Sequence, residues 1–235
     1  MTTLRGPVIV TGTDTGVGKT MVTAAIAAAA TLSGLRVAVV KPCQTGLATG
    51  EEPDADVVAR LAAPASSTTL FSYPDPLAPS TAARVAGLPM LALGSVLGAV
   101  TSLAKQHDLV LIEGAGGLLV SLGAADWTIA DLAVSMGAPA IVVARPDLGT
   151  LNHTALTQQA LAERGVEQRL VLGSWPAAPE LVHRTNLRDL PSLSGVLPAG
   201  VGALAPEKFR RAAPGWLSEE LHGHWQADSL MTLAL

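Results

Sequence analysis

VIVTGTDTGVGKTMVTAAIAAAATL, Val8 to Leu32, carries the reading on which everything else depends. Val8 to Thr11 is a short apolar run that passes directly into a glycine loop, Gly12 to Thr20. Gly18 to Leu32 is alanine-rich and apolar nearly all round, the pattern of a helix covered on most sides. A strand, a glycine loop and a helix in direct succession make the setting of a phosphate-binding loop. Backbone N–H groups around Thr15 to Lys19, with Gly16, Val17 and Gly18 among them, face the phosphates, and the positive end of the helix adds to them. Lys19 then reaches between the terminal phosphates, and the Thr20 hydroxyl ligates Mg²⁺. The usual first glycine of such a loop is replaced by Thr13, a β-branched residue that resists the torsions glycine permits. The expectation is a differently shaped loop that still holds phosphate.

Working outward, strands alternate with helices. Arg36 to Lys41 reads as a strand ended by Pro42, residues 46–56 as a polar loop, and Ala55 to Ala62 as a helix begun after acidic residues. Between Ala63 and Pro89 five prolines, with Ser and Thr among them, suggest loops. Leu91 to Gln106 is helical in pattern, Asp108 to Glu113 a buried strand, Trp127 to Met136 a helix and Ala138 to Ala144 a strand. Leu151 to Arg164 follows as a helix, with strands at Arg169 to Gly173 and Leu193 to Leu197. From Pro206 the chain reads as one or two further helices. This alternation predicts an α/β fold with a doubly wound, mainly parallel sheet of the P-loop NTPase type, in a single domain over residues 1–235.

Composition agrees. Hydrophobic residues make up 49% of the 235 but aromatics only 3%, so the core is built from Ala, Val and Leu. A formal charge of −4 without a basic run excludes a nucleic-acid groove as the main function. Cys43 alone excludes a disulfide framework or a four-cysteine metal site, and its expected role is a semi-buried thiol. The apolar stretches are interrupted before they span a membrane, and no basic leader precedes the first strand, so the expected location is the cytoplasm. The low charged fraction, 14%, leaves apolar surface for a second subunit to cover.

Two further charged groups meet the loop at the C-terminal edge of such a sheet, where ligands collect. Glu113 stands at the tip of DLVLIE, and Gly114-Ala115-Gly116-Gly117 after it lets backbone approach a ligand closely. Glu113 is a Mg²⁺ ligand, direct or through water. Lys41 ends an apolar strand at the same edge as Lys19. Two cations converging there imply more negative charge than a nucleotide alone, or a phosphoryl group moving onto an anionic acceptor. Asp54 and Asp56 both lie after the second strand, and the residues alone do not choose between them.

Four motifs in order, GTDTGVGKT, KPCQTG (Lys41 to Gly46), VLIEGAGG (Val110 to Gly117) and DLGTLNH (Asp147 to His153), resemble the dethiobiotin synthetase family from about Val8 to Gly200. That family shares its sheet and its modified loop with the MinD/ParA-like ATPases. Those usually have a lysine where this chain has Asp14.

The resemblance implies a cyclo-ligase that makes dethiobiotin from 7,8-diaminopelargonic acid, CO₂ and ATP or another nucleoside triphosphate, with Mg²⁺. An amine captures CO₂ as a carbamate, the γ-phosphoryl group passes to it as a mixed anhydride, and the second amine closes the ring. Residues Gly16 to Met21 then surround the phosphates and Lys41 lies near the carbamate. Thr45 contacts the substrate, and Asp54 is chosen over Asp56 as metal ligand by its spacing to Arg60. Glu113 completes the metal set, and Gly114 to Gly117 line nucleotide and substrate. Gly149, Thr150, Leu151 and Asn152 hold the substrate carboxylate across a homodimer interface. Pro198, Ala199 and Gly200 flank the base. Many members carry an Asn-Asp pair after the strand that here reads VLGSW, whereas this chain has Gly173 and Ser174. Glycine has no side chain to read a base, so relaxed nucleotide use is expected.

The alternatives are a related P-loop carboxylase or amide ligase, and a MinD/ParA-like nucleotide-switched binding protein. His107, His153, His183, His222 and His224 show no metal-ligand pattern, and His222 and His224 do not share a face of a terminal helix. The four tryptophans and Tyr73 are too scattered for a stacking platform. Ser80 and Thr81, in the proline-rich stretch, rank low as substrate contacts.

Overall fold

Short, mostly apolar runs, too short for helices and bounded by Gly or polar residues, form the strands of one sheet in the computed structural model. The structure describes residues 3–226. The strands are β1 (Gly6–Gly12), β2 (Val37–Gln44), β3 (Ser66–Ser72), β4 (Leu109–Glu113), β5 (Ala140–Ala144), β6 (Gln168–Trp175) and β7 (Leu193–Pro198). Between them run α1 (Lys19–Leu32), α2 (Asp54–Ala62), α3 (Pro79–Ala86), α4 (Leu93–Ala104), α5 (Ile129–Met136), α6 (Thr150–Ala162) and α7 (Leu181–Asp189). Helix α8 (Pro206–Ala212) follows β7. The sheet order is β3-β2-β4-β1-β5-β6-β7, and every pairing of these strands is parallel.

The sheet is buried on both faces, as an all-parallel sheet must be. Val8, Val10, Val39, Leu111, Ile141 and Val143 point to the face covered by α1, whose residues from Val22 to Ala30 are buried. Ile9, Val40, Ile112, Val142 and Leu172 point to the other, against residues of α3 to α7 such as Ala83, Val96, Leu132, Leu161 and Leu187. Each fully buried Val, Leu or Ile is worth about 1.5–3 kcal/mol relative to exposure. The alanines of α1 trade that area for close approach to the sheet, which keeps the glycine loop pressed on the strand tips.

Several boundaries differ from the sequence reading. β2 continues through Pro42 to Gln44, because it pairs with β4 only as far as Val40↔Ile112 and with β3 beyond, at Lys41↔Thr69 and Cys43↔Phe71. The stretch expected to be loops contains β3 and α3. β3 is an edge strand, half-buried and therefore rich in Ser and Thr, and Pro79 occupies the first turn of α3, where its missing N–H costs nothing. α7 is absent from the reading because its composition is polar. After α8 come short 3₁₀ turns at Ala213–Trp216 and Glu219–Leu221 in place of a second α-helix. His222 therefore lies in no terminal helix, and its Nε2 is 2.8 Å from the Leu4 carbonyl. The end of the expected helical segment, residues 227–235, lies outside the described residues.

Candidate functional site

β1 and its neighbours β4 and β5 end together, and the chain leaves β1 as the glycine loop. Both left-handed positions in the loop fall on glycines, Gly16 (φ 75) and Gly18 (φ 97), while Thr13 needs no positive φ. The replaced first glycine thus costs the loop nothing. Lys19 Nζ reaches back across it to donate to the Asp14 carbonyl at 2.8 Å.

A cavity of about 650 Å³ opens over the loop, lined among others by Gly16, Gly18, Lys19, Thr20, Lys41, Thr45, Asp54, Glu113, Ala115 and Gly116. Its floor is a charged cluster. Thr20 Oγ1 is 2.9 Å from both Asp54 Oδ1 and Glu113 Oε1. Lys41 Nζ lies 2.6 Å from Asp54 Oδ2 and 2.9 Å from Glu113 Oε1, and donates to the Gly114 carbonyl at 3.1 Å. Lys41 and Glu113 are 4% and 2% exposed, so this is a buried ionic group, costly unless paired.

Burial pushes the Lys41 ammonium down, but the facing Glu113 and Asp54 more than reverse it, and its pKa stands above the usual lysine value. Asp54 is likewise raised by burial yet held below the usual carboxylate range by Lys41 and by the Thr20 hydroxyl. Lys19 goes the other way: burial, then the positive charge of Lys41, lowers it to about 8. The Cys43 thiol, in the cavity wall, is pushed up by burial to about 12 and stays protonated.

Hydroxyl and carboxylate oxygens converging on one point are the donors that hard divalent cations take. Thr20, Asp54 and Glu113 could hold one. Asp54 opens α2, with its N–H donating to Gln44 Oε1 at 3.2 Å, whereas Asp56 is exposed. Gln44, Thr49, Glu51 and residues 76–79 also line the cavity and were not singled out from the sequence. Gln44, inside KPCQTG, was the one with a readable signal. Ser80 is buried, and neither it nor Thr81 lines the cavity.

Other expected residues lie outside the cavity lining. Val17 is buried against Gly12 and Gly173: a Cβ on Gly173 would stand 2.0 Å from the Val17 carbonyl oxygen, and one on Gly18 2.8 Å from that of Gly173. No side chain fits at Gly173 with the loop in this place. Ser174 is exposed inside β6, which runs on to Trp175. Pro198 pairs with Trp175, and the Ala199 N–H donates to the Trp175 carbonyl at 2.7 Å, bringing Pro198, Ala199 and Gly200 beside Ser174. Met21 packs on Gly202, and Gly117 faces the backbone of Gly12 and Thr13. Gly149 (φ 93) caps α6, with Thr150 buried and Leu151 and Asn152 exposed. Contrary to the scattered reading of the tryptophans, Trp175, Trp216 and Trp225 line one hollow of about 670 Å³ with Pro198 and Ala199.

A parallel sheet, a strand–glycine loop–helix at its centre, and a lysine and threonine opening that helix define a P-loop nucleotide-binding protein of the NTPase class. A family model described as an AAA domain matches residues 7–205. The fold resembles that of the MinD cell division protein of Aquifex aeolicus, with a TM-score of 0.54, 15% identity and 97% of each chain covered. A plasmid partition protein from Borrelia burgdorferi gives a TM-score of 0.52 at 13% identity, over 89% of this chain and 97% of that one. At such identities these likenesses concern the fold alone.

The ATP-dependent dethiobiotin synthetase BioD of Streptomyces avermitilis is 52% identical over 227 residues, 94% of this chain and 95% of that protein. The protein of the same name from Rhodococcus jostii is 54% identical over 88% of this chain and 93% of its own. The chain belongs to the ATP-dependent dethiobiotin synthetase family.

Proposed function

We infer that the chain is a dethiobiotin synthetase, a single-domain cyclo-ligase that joins 7,8-diaminopelargonic acid and CO₂ at the expense of a nucleoside triphosphate. The observation that carries this reading is the meeting of Lys41, Thr20, Asp54 and Glu113, at 2.6–2.9 Å, beside a phosphate-binding loop. A phosphate loop needs one lysine; the second, buried at the same edge, matches an anionic acceptor.

In the reaction, one amine of the diamine adds to CO₂ and loses a proton, leaving a carbamate. A carbamate oxygen attacks the γ-phosphorus and the nucleoside diphosphate leaves. The second amine then attacks the carbamoyl carbon, phosphate departs, and the ureido ring closes. Lys19 and Lys41 offset the repulsion between carbamate and γ-phosphate, where charge builds in the transition state. Thr20, Asp54 and Glu113 would hold Mg²⁺, which supplies further neutralisation of the phosphate oxygens. Thr45, in the cavity wall, and Gly117, beside the backbone of Gly12 and Thr13, are assigned to the substrate.

The substrate carboxylate is assigned to the α6 N-terminus, Gly149 to Asn152, where the positive end of the helix favours an anion. The neighbouring Leu148 is 82% exposed, which supports a homodimer closing over this rim. Light scattering tests that: a monomer at working concentration refutes it. Among the described residues no helix is long and apolar enough to cross a membrane, and we assign the enzyme to the cytoplasm. The base is assigned to Gly173, Ser174 and Pro198 to Gly200, where Gly173 has no side chain to read it, so nucleotide choice is relaxed.

The experiment is bicarbonate-dependent phosphate release with diaminopelargonic acid present, dethiobiotin being detected by mass. Both should depend on the diamine. Hydrolysis running equally well without it would refute the assignment.

A further inference from the structure

Lys41 is paired with two of the three residues assigned to the metal. Its ammonium is bonded to Asp54 Oδ2 and Glu113 Oε1, and Glu113 Oε1 also lies 2.9 Å from Thr20 Oγ1. Asp54 is divided in the same way, one oxygen on the ammonium and the other on Thr20. The carboxylates are therefore compensated by the lysine in the place where a cation would compensate them.

The two arrangements compete for Glu113 Oε1 and for the charge of both carboxylates. Mg²⁺ takes oxygens at about 2.0–2.1 Å in a near-octahedral set and keeps several waters. An ammonium on Glu113 Oε1, which Thr20 also meets, and on the second oxygen of Asp54 would face that dication at short range, where charge repulsion is poorly screened. Two carboxylates cannot neutralise an ammonium and a dication at once. Of the groups present, the ammonium on its flexible four-carbon stem is the one free to move. Lys41 already lines the cavity beside Lys19 and Thr45, so the space open to it is the one assigned to carbamate and γ-phosphate.

We propose that Lys41 is a displaceable counter-ion that holds Asp54 and Glu113 in the cation's absence and is released into the cavity when the cation binds. The proposal rests on the assignment of Thr20, Asp54 and Glu113 as cation ligands. Its consequence is an order of events: the lysine reaches the anionic acceptor only after the metal is loaded. An empty site then keeps its carboxylates paired and its lysine withdrawn.

The chain's only lysines are Lys19, Lys41, Lys105 and Lys208, so ¹⁵N-lysine labelling of the wild-type protein gives a readable ammonium spectrum. Addition of Mg²⁺ alone should shift the Lys41 signal, identified by its loss in Lys41→Arg, in step with Mg²⁺ binding followed by calorimetry. Mg²⁺ binding with an unmoved Lys41 signal overturns the proposal. In parallel, Lys41→Met should melt lower than wild type in EDTA. It should also bind Mn²⁺, read by electron paramagnetic resonance, about tenfold or more tightly, since a competing charge is gone. Unchanged or weaker Mn²⁺ binding refutes displacement. If Lys41→Met does not fold, the wild-type spectrum still decides. Asp54→Asn separates the two claims. Mn²⁺ binding lost in this variant but indifferent to Lys41 sinks only the counter-ion. Binding that survives Asp54→Asn, or that is absent from every form, sinks the ligand assignment and the proposal with it.

Discussion

The two flanks of the glycine loop are built by opposite means. Toward β2 and β4 the loop meets side-chain charge: buried Lys41 and Glu113 and half-buried Asp54 around the Thr20 hydroxyl. Toward β6 it meets backbone, with Gly173 so close to Val17 and Gly18 that neither glycine could carry a Cβ. Charge discriminates strongly, because an unmatched buried ion is expensive. Bare backbone sets distance but reads little, since its N–H and C=O groups are the same at every residue. A protein built this way should be exacting about phosphoryl chemistry and permissive about the base.

The largest effect should come from the charged flank. Lys41→Gln should leave the sheet folded, by circular dichroism, and lower turnover by about a hundredfold or more, the scale of one lost electrostatic group. Turnover within a few-fold of wild type at saturating substrates would mean the second lysine is not part of the chemistry.

On the backbone flank, Gly173→Ala places a methyl against the Val17 carbonyl oxygen. Forced overpacking of this kind costs about 1–3 kcal/mol. We expect a lower melting temperature and a nucleotide affinity weakened with it, by calorimetry. An unaltered melting temperature would show that the loop stands off β6 in solution.

A smaller, pH-dependent effect separates the two lysines. Free Lys19, lowered to about 8 by burial and then by Lys41, begins to lose its proton above that pH. A bound phosphate favours the charged form, so binding must then take up a proton. Affinity for a nucleoside diphosphate without metal should be flat below about pH 8 and fall about tenfold per pH unit above it. Lys19→Arg, always charged, should remove the slope. Lys41, held above the usual lysine value, contributes none in this window.

The smallest effect expected is the one between bases. kcat/KM for ATP, CTP and GTP should differ only a few-fold if no side chain reads the base edge. A strong preference for ATP would place a reader on this flank that Gly173 and Ser174 do not supply.

Much of the fold was legible because its signals are local. Apolar runs at Val8, Asp108 and Ala138, each followed by Gly or Pro chemistry and a helical period, need no distant partner to be recognised. β3 was not legible: at the sheet edge it is half-buried, and its Ser and Thr look like a loop until β2 is laid beside it. α3 was hidden by the same prolines that start it. The gathering of Trp175, Trp216 and Trp225 was hidden by the sequence distance between them.

The loop, Lys19, Thr20 and the strands bearing Lys41 and Glu113 follow from sequence alone, since glycine torsions and short apolar runs act over a few residues. Tertiary structure decided what those groups do to one another. It turned Asp54 inward and left Asp56 in solvent, because only the first residue of α2 meets Thr20. It set Lys41 between two carboxylates, and it brought Gly173 against a loop more than 150 residues earlier. Such choices depend on which strand lies next to which, and parallel order is fixed by packing across the whole sheet, which no local stretch encodes.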